Sequence, residues 1–220
     1  ENTLYYMRIQ GVVSRFNLTI SSSKTFSEVR TKGNLFSGLY FGLVIAMFLY
    51  NLLVLISIKN ISYLYYILYV FSFGSLQFIL QGFSQRFLFS DSIWIANHGF
   101  LFFNCMMGIF FSLFSRHFLN LKEEAPKLDF VALSFIVIFT LFTPFSFMPI
   151  LPINMILIFS FGLVLMFYFF FCALVRVTSK YRPAYYYLTA CTFSLSGGII
   201  YVLGSMGVLP TNLFTLNAPY

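Results

Sequence analysis

The chain has 220 residues, of which 60% are hydrophobic, 22% aromatic and only 9% charged, with a formal net charge of +7. Soluble domains carry about 25% charged residues and about 45–50% apolar ones. The composition therefore excludes an ordinary soluble enzyme and a disordered chain. The basic residues stand between apolar blocks and form no patch, so the net charge predicts membrane topology rather than nucleic-acid binding.

The first 24 residues carry the pattern of β-strands. Residues 4–10 are rich in Tyr and Ile, and residues 16–20 alternate apolar with polar side chains, as a half-buried strand does. Two strands alone do not make a stable domain, so we interpret residues 1–24 as the end of a larger sheet. The chain does not begin with Met, and we expect it to be part of a longer protein.

A short juxtamembrane helix is predicted over residues 25–34. Thr25 to Glu28 fits a capping box, in which the Thr hydroxyl and the Glu carboxylate bind free amides at a helix start. Two outcomes are open for this helix. It either continues into the following apolar segment as one rod, or it ends at a flexible joint near Gly33.

Six stretches are long and apolar enough to cross the hydrocarbon core of a bilayer, which takes about 20 residues. They cover residues 35–58, 63–83, 98–121, 130–150, 153–175 and 184–208. Residues 35–220 therefore predict a truncated all-α polytopic membrane bundle. A seventh span is expected beyond the carboxyl end, because six spans alone return the chain to the side on which it entered.

Basic residues orient this predicted bundle. Seven of them lie near the ends of odd-numbered spans or in the connections after them, namely Lys59, Arg116, Lys122, Lys127, Arg176, Lys180 and Arg182, whereas the opposite connections hold only Arg86. The positive-inside rule places the first group in the cytoplasm and the amino end outside. Arg30 and Lys32 oppose this orientation, but a folded domain ahead of the first span is translocated regardless of such charges.

Polar side chains in or near the spans are the candidates for ligand binding, because each needs a partner in a water-poor core. The residues predicted to bind a ligand are Gln77, Gln81, Arg86, Trp94, His98 and Asn104. Of these, Gln81, Arg86, Trp94 and His98 are expected to cluster at a shallow pocket open to the outside. Gln77 and Gln81 are four residues apart and share one helix face. The alternatives are interhelical hydrogen bonds for the amides, worth about 0.6 kcal/mol each, and interface anchoring for Trp94.

Small residues at helical spacing predict close contacts between helices. The residues assigned to helix packing are Gly38, Gly42, Ala46, Asn51, Ser194 and Gly198. The three cysteines lie inside apolar runs with no CxxC spacing, so we interpret them as small buried hydrophobes. The sequence holds no Ser-His-Asp set and no phosphate-binding loop, so we expect no catalytic residue, metal or cofactor.

Short motifs in a fixed order carry a family resemblance. They are Gly38-Leu39-Tyr40-Phe41-Gly42, Leu49-Tyr50-Asn51-Leu52, Ser62-Tyr63-Leu64-Tyr65-Tyr66, Phe118-Leu119-Asn120-Leu121, Ala125-Pro126-Lys127-Leu128-Asp129, Tyr181-Arg182-Pro183-Ala184 and Gly207-Val208-Leu209-Pro210. In these motifs the chain resembles the membrane region of bacterial seven-transmembrane receptors with diverse intracellular signalling modules. The resemblance implies seven helices after an extracellular jelly-roll domain, which would end within residues 1–24. It also implies a cytoplasmic output module such as a histidine kinase, diguanylate cyclase or phosphatase.

The residues and the resemblance together predict a sensory receptor region in the bacterial inner membrane, with a periplasmic amino end and no enzymatic activity of its own. The expected partners are the lipid bilayer, an extracellular small molecule, with carbohydrate as one candidate class, and a cytoplasmic signalling domain in the same polypeptide. A homodimer is a further option, and no nucleic-acid partner is expected. The alternative function is a small-molecule transporter or channel subunit, which the absence of mid-span acidic residues disfavours.

Overall fold

The structure, a computed structural model, describes residues 23–84, 86, 93–148 and 152–205. Within these residues the chain forms seven α-helices: α1 (Ser23–Ile58), α2 (Ile61–Leu80), α3 (Ile93–Phe118), α4 (Leu121–Glu124), α5 (Pro126–Phe145), α6 (Pro152–Thr178) and α7 (Arg182–Ser205). The strands predicted in residues 1–24 lie outside the described residues, and so does the seventh span.

The chain divides into two compact units, residues 1–39 and 40–220. In the first unit the structure describes the amino-terminal part of α1, which includes the predicted juxtamembrane helix at 25–34. Gly33 does not interrupt this helix. The side chains of Thr25 and Glu28 lie outside the described part, so the capping box stays a prediction.

Five helical stretches in the described residues are long and apolar enough to cross a membrane. They are Gly33–Ile58, Ile61–Leu80, His98–Phe118, Pro126–Phe145 and Ser160–Thr178, which agree with the first five predicted spans to within about seven residues at each end. Helix α7 occupies the region of the predicted sixth span but is not among the five, so that span remains a prediction.

The ends of several helices are set by single residues. Lys59, Asn120 and Lys180 have φ angles of 54°, 50° and 59° and lie just after α1, α3 and α6. A residue in the left-handed backbone conformation at this position turns the chain away from the helix axis, so that the last carbonyls of the helix can accept hydrogen bonds. Pro126 begins α5, where its missing N–H removes no helical hydrogen bond.

Helix α3 is the centre of the second unit, because it packs against α2, α5 and α6, while α6 also packs against α7. The buried core is built from the facing sides of these helices. Representative members are Leu101 and Cys105 of α3, Phe139 of α5, Phe169 of α6 and Cys191 of α7. All three cysteines are buried, as the sequence predicts. Packing of this kind holds membrane helices together through dispersion, since lipid competes for the same apolar surface.

The glycines in tight helix contacts are not the predicted ones. A Cβ built at Gly108 would lie 2.9 Å from three ring atoms of Phe139, and one at Gly74 would lie 3.1 Å from Cγ1 of Val44. Gly38 and Gly42 are exposed, and among the described residues nothing comes within 4 Å of a Cβ built at either. Within the described chain these two glycines therefore face no neighbouring helix, and their packing role stays a prediction for a partner outside it.

Candidate functional site

The densest polar network in the described residues lies where α3 and α6 end and α5 and α7 begin. We call this region the charged end. It contains two ion pairs, Arg116 with Asp129 and Arg176 with Glu124. Opposite charges here meet inside or beside apolar helices, where an unpaired charge is costly. The charged end is therefore the part of the bundle in which polar side chains do most to position the helices.

The first ion pair joins the end of α3 to the start of α5. Arg116 donates from Nε to Oδ1 and from Nη2 to Oδ2 of Asp129, the second contact being 2.8 Å. Asp129 is 7% exposed. The two parallel hydrogen bonds match the fork of the guanidinium to the carboxylate, which fixes both the distance and the angle between the two groups. This pair consequently sets the position of α5 relative to α3.

The second cation, Arg176 near the end of α6, caps α3. It is 4% exposed, and its Nε donates to the backbone oxygen of Leu119 at 2.9 Å. Its Nη1 lies 3.5 Å from Oε2 of Glu124, and its guanidinium stands 4.8 Å from the ring centre of Tyr181. The last carbonyls of a helix lack intrahelical donors and carry a partial negative charge. A buried guanidinium satisfies one of them and balances that charge.

Two tyrosine hydroxyls complete the network at the charged end. Tyr168 of α6 donates to the backbone oxygen of Leu128 at the start of α5. The hydroxyl of Tyr187 of α7 lies 2.6 Å from Oγ of Ser115 of α3. Because Ser115 donates its single proton to the Phe111 oxygen at 2.7 Å, Tyr187 is the donor in that contact. The hydroxyls therefore connect α6 to α5 and α7 to α3 at defined atoms.

The network is suited to holding helix ends in one arrangement. It joins four long helices through groups that each have few alternative partners in an apolar surrounding. Within the described residues no group of three or more His, Cys, Asp or Glu side chains is placed to hold a metal ion. The chemistry that these groups offer is reversible hydrogen bonding and ion pairing.

The residues predicted to bind a ligand are spread over α2, α3 and the segment between them. Gln77 in α2 and Asn104 in α3 are buried. Gln81 ends α2, where its backbone N–H donates to the Gln77 carbonyl and the N–H of Gly82 donates to the Ile79 carbonyl. Arg86 is exposed. Trp94 belongs to α3, but its side chain lies outside the described part, so its role stays a prediction.

Two of these predicted residues lie at the end of the second unit away from the charged end. His98 Nδ1 lies 2.6 Å from the backbone oxygen of Ser146, just after α5, so this contact joins the start of α3 to the end of α5. The Oε1 atom of Gln81 is buried, and no described group forms a hydrogen bond to it. A buried carbonyl oxygen without a donor is open to a ligand or water donor.

The remaining residues assigned to helix packing make no interhelical hydrogen bond in the described part of the chain. Asn51 donates from Nδ2 to the Met47 oxygen of its own helix at 2.8 Å. Ala46 and Ser194 are exposed. The surroundings of Gly198 lie outside the described side chains. The packing hypothesis therefore has no interhelical hydrogen bond to support it within the described chain at Asn51, Ala46 or Ser194.

Comparison with known proteins places the chain in a family. The model of the family described as 7TM diverse intracellular signalling matches residues 33–220, most of the chain. The chain belongs to this family. It is a multi-pass membrane protein and a transmembrane sensory or signalling region, as the resemblance implies. No curated protein and no solved structure matches the chain.

The charged end of this 7TM signalling region was not identified as a site from sequence, although a signal was present. Arg116 lies inside the predicted third span and Arg176 directly follows the predicted fifth, while Asp129 stands one residue before the fourth. Ionisable residues at membrane depth indicate function by default. Because both arginines were interpreted only as topology signals, their contacts were not predicted. Arg116 pairs with Asp129, 13 residues later, whereas Arg176 contacts Leu119 and Glu124, 57 and 52 residues earlier.

Proposed function

We propose that the chain is the relay region of a bacterial inner-membrane receptor. An extracellular small molecule changes the packing of the helices, and the change reaches a cytoplasmic signalling module in the same polypeptide. The amino end is outside, and the bundle itself catalyses no reaction. Family membership supports the receptor assignment, and the distribution of basic residues supports the orientation.

The observation that carries the proposal is the network at the charged end. It joins α3, α5, α6 and α7 by ion pairs and hydroxyl contacts, on the side where positive-inside counting places the cytoplasm. A relay needs an element with two arrangements of similar free energy, whose balance a ligand can shift. Polar contacts in an apolar bundle meet this need, because breaking one of them shifts the balance between the joined arrangement and an opened one by about 1–3 kcal/mol.

The contact between Tyr187 and Ser115 allows the relay proposal to be tested with a very small chemical change. Tyr187→Phe removes one hydroxyl that joins α7 to α3 and retains the ring. The neighbouring Tyr186 is 77% exposed, whereas Tyr187 is 6% exposed, so Tyr186→Phe is a matched control. In the full-length protein we expect Tyr187→Phe to change the basal activity of the carboxyl-terminal module several-fold. Tyr186→Phe should leave that activity unchanged.

Two results would contradict the receptor proposal. One is an unchanged output in Tyr187→Phe at equal membrane abundance. The other is a gene in which no signalling module follows Tyr220. If an inverted repeat of these spans followed instead, the transporter alternative would be favoured, because such repeats form transport pathways at their interface.

A further inference from the structure

A groove of about 540 Å³ lies between α1 and α2, with α3 contributing Phe103 to its wall. Aromatic side chains form much of its surface, among them Phe41 and Phe48 of α1 and Phe71 and Phe78 of α2. The rings of Phe41 and Phe78 are 5.7 Å apart and those of Phe48 and Phe71 are 6.4 Å apart. The groove is therefore bounded by side chains that meet across it at both ends.

The two helices approach each other closely at Val44 and Gly74. A Cβ at Gly74 would lie 3.1 Å from Cγ1 of Val44. Away from this point the contacts described between α1 and α2 run through long aromatic side chains, which leaves space beside the crossing. The space lies within segments long and apolar enough to span a membrane.

Water is a poor occupant of this space. Apart from the hydroxyls of Ser75 and Ser84, the lining side chains carry no polar atoms. An ordered water needs two to four polar partners. An unfilled gap is also unfavourable, because the lining atoms lose dispersion contacts on one side. The occupant must then be apolar and must come from the bilayer or from protein.

The dimensions match one lipid chain. Along α2 the groove extends from Val70 to Ile79, about 14 Å at ~1.5 Å per residue. One leaflet contributes half of a hydrocarbon core that is about 30 Å thick. At the Ile79 end, Ser84 lines the groove and the exposed Arg86 follows two residues later. That end thus carries a cation suited to a lipid phosphate.

We propose that this groove binds one acyl chain of a membrane phospholipid as a retained ligand that fills the gap between α1 and α2. The chain enters at the Ser84 end, where the headgroup lies near Arg86, and extends between Phe41 and Phe78 toward Phe48. Retained lipid differs from bulk lipid in its residence time, since binding strength is expressed mainly in the dissociation rate. The proposal is independent of the receptor function.

Quenching of tryptophan by brominated phospholipid tests the site. Trp94 is the only tryptophan in the chain, so Trp94→Phe gives a silent background. In that background Phe78→Trp places a reporter in the groove. Phe167→Trp places one on α6 at a side chain that is 51% exposed and does not line the groove. The purified chain is loaded with a phospholipid brominated on its acyl chains and then diluted into unbrominated lipid.

We expect the quenching at position 78 to recover on the order of tenfold more slowly than at position 167, because only the groove retains its lipid. Ser75→Leu, which fills the groove, should remove the slow phase when added to Phe78→Trp. Equal recovery rates would overturn the proposal and identify ordinary boundary lipid. Absence of quenching at position 78 would overturn it as well, since a second copy or another protein segment would then cover the groove.

Discussion

The side chain of Arg176 links two helices. Its guanidinium belongs to α6, but it binds the Leu119 carbonyl at the end of α3. Leu119 is fully buried, so its carbonyl has little access to water as an alternative partner. An unsatisfied buried carbonyl costs about 1–3 kcal/mol.

Arg176→Met is therefore expected to lower the free energy of unfolding by about 1–3 kcal/mol. Thermal unfolding in detergent, followed by fluorescence or by loss of the soluble fraction, measures the effect. Lys180→Met is the control, because Lys180 is a nearby exposed cation, and it should unfold as the wild type does. Equal stability of Arg176→Met and wild type would mean that the cap contributes nothing.

Arg116 and Asp129 allow a double-mutant cycle. Removing one member of a buried ion pair costs about 3–5 kcal/mol, because the other charge remains unpaired. The Arg116 side chain is 20% exposed, so we expect about 2 kcal/mol for Arg116→Met or Asp129→Asn alone, after discounting for solvent. The double variant should lose clearly less free energy of unfolding than the two single variants lose in sum. Strict additivity in the unfolding measurements would show that the pair is not coupled.

Among the described glycines, the tightest helix contact is at Gly108, where α3 meets α5. Gly108 lets the ring of Phe139 lie against the backbone of α3, and Phe139 is itself fully buried. The ring has no free space to move into, because interiors are packed to the density of organic crystals. A methyl group added at Gly108 would therefore force a shift of α5.

Gly108→Ala and Gly42→Ala are expected to have opposite effects. At Gly108 the added Cβ overpacks the contact and should destabilise the protein by about 1–3 kcal/mol. At Gly42 the space is open among the described residues, and alanine should stabilise the helix by up to about 1 kcal/mol. Thermal unfolding of the two variants side by side measures the difference. If Gly42→Ala lost as much stability as Gly108→Ala, a partner outside the chain would be indicated to pack on α1.

Helix α1 has 36 residues, more than the roughly 20 that a membrane crossing requires. The extra turns at its amino end motivate the hypothesis that α1 transmits movement along its own length to the bundle. Two insertions after Lys32 test this hypothesis in the full-length protein. Gly-Gly-Ser breaks the helix, whereas a seven-residue Ala-rich helical insertion adds nearly two full turns and preserves the phase.

The flexible insertion should shift the basal output to the level of a variant that lacks the residues before Ser23. The helical insertion should keep the wild-type level. Both proteins should reach the membrane in equal amounts, because the inserted residues lie outside the apolar segment. Wild-type output from both insertions would exclude α1 as the transmitting element and would favour the connection at residues 84–97.

Over the whole chain, the proposed orientation in the membrane rests on the positions of the basic residues. Two of the seven that support the assignment, Arg116 and Arg176, are engaged in pairs at the charged end. Lys122, Lys127, Lys180 and Arg182 are exposed in the same region, as is Lys59 after α1. The charge asymmetry therefore persists when the two paired arginines are left out.

Cysteine labelling tests this orientation. The native cysteines are buried, so background labelling by an impermeant maleimide should be low. Ser90→Cys is expected to react in intact cells, whereas Glu124→Cys, at a side chain that is 56% exposed, should react only after the cells are opened. The reverse pattern would invert the topology and remove the basis for the receptor proposal.

Much of the helical architecture could be predicted from sequence, because lipid imposes a simple rule on it. A spanning segment must satisfy its backbone internally and be apolar over about 20 residues. Five of the predicted spans correspond to helices in the structure, and the motif order indicated the family that the comparison shows. Both signals lie in short stretches of sequence, so they can be identified without knowing which residues are in contact.

Only the tertiary structure decided which residues meet. Gly38 and Gly42 have the expected small-residue spacing, yet Gly74 and Gly108 make the close contacts, because spacing selects a helix face but not the helix that covers it. Arg116 and Arg176 looked like topology signals and proved to be partners of Asp129 and of the Leu119 carbonyl. Contacts between residues 13 and 57 positions apart depend on how whole helices pack, and the periodicity of a single segment carries no information about that packing.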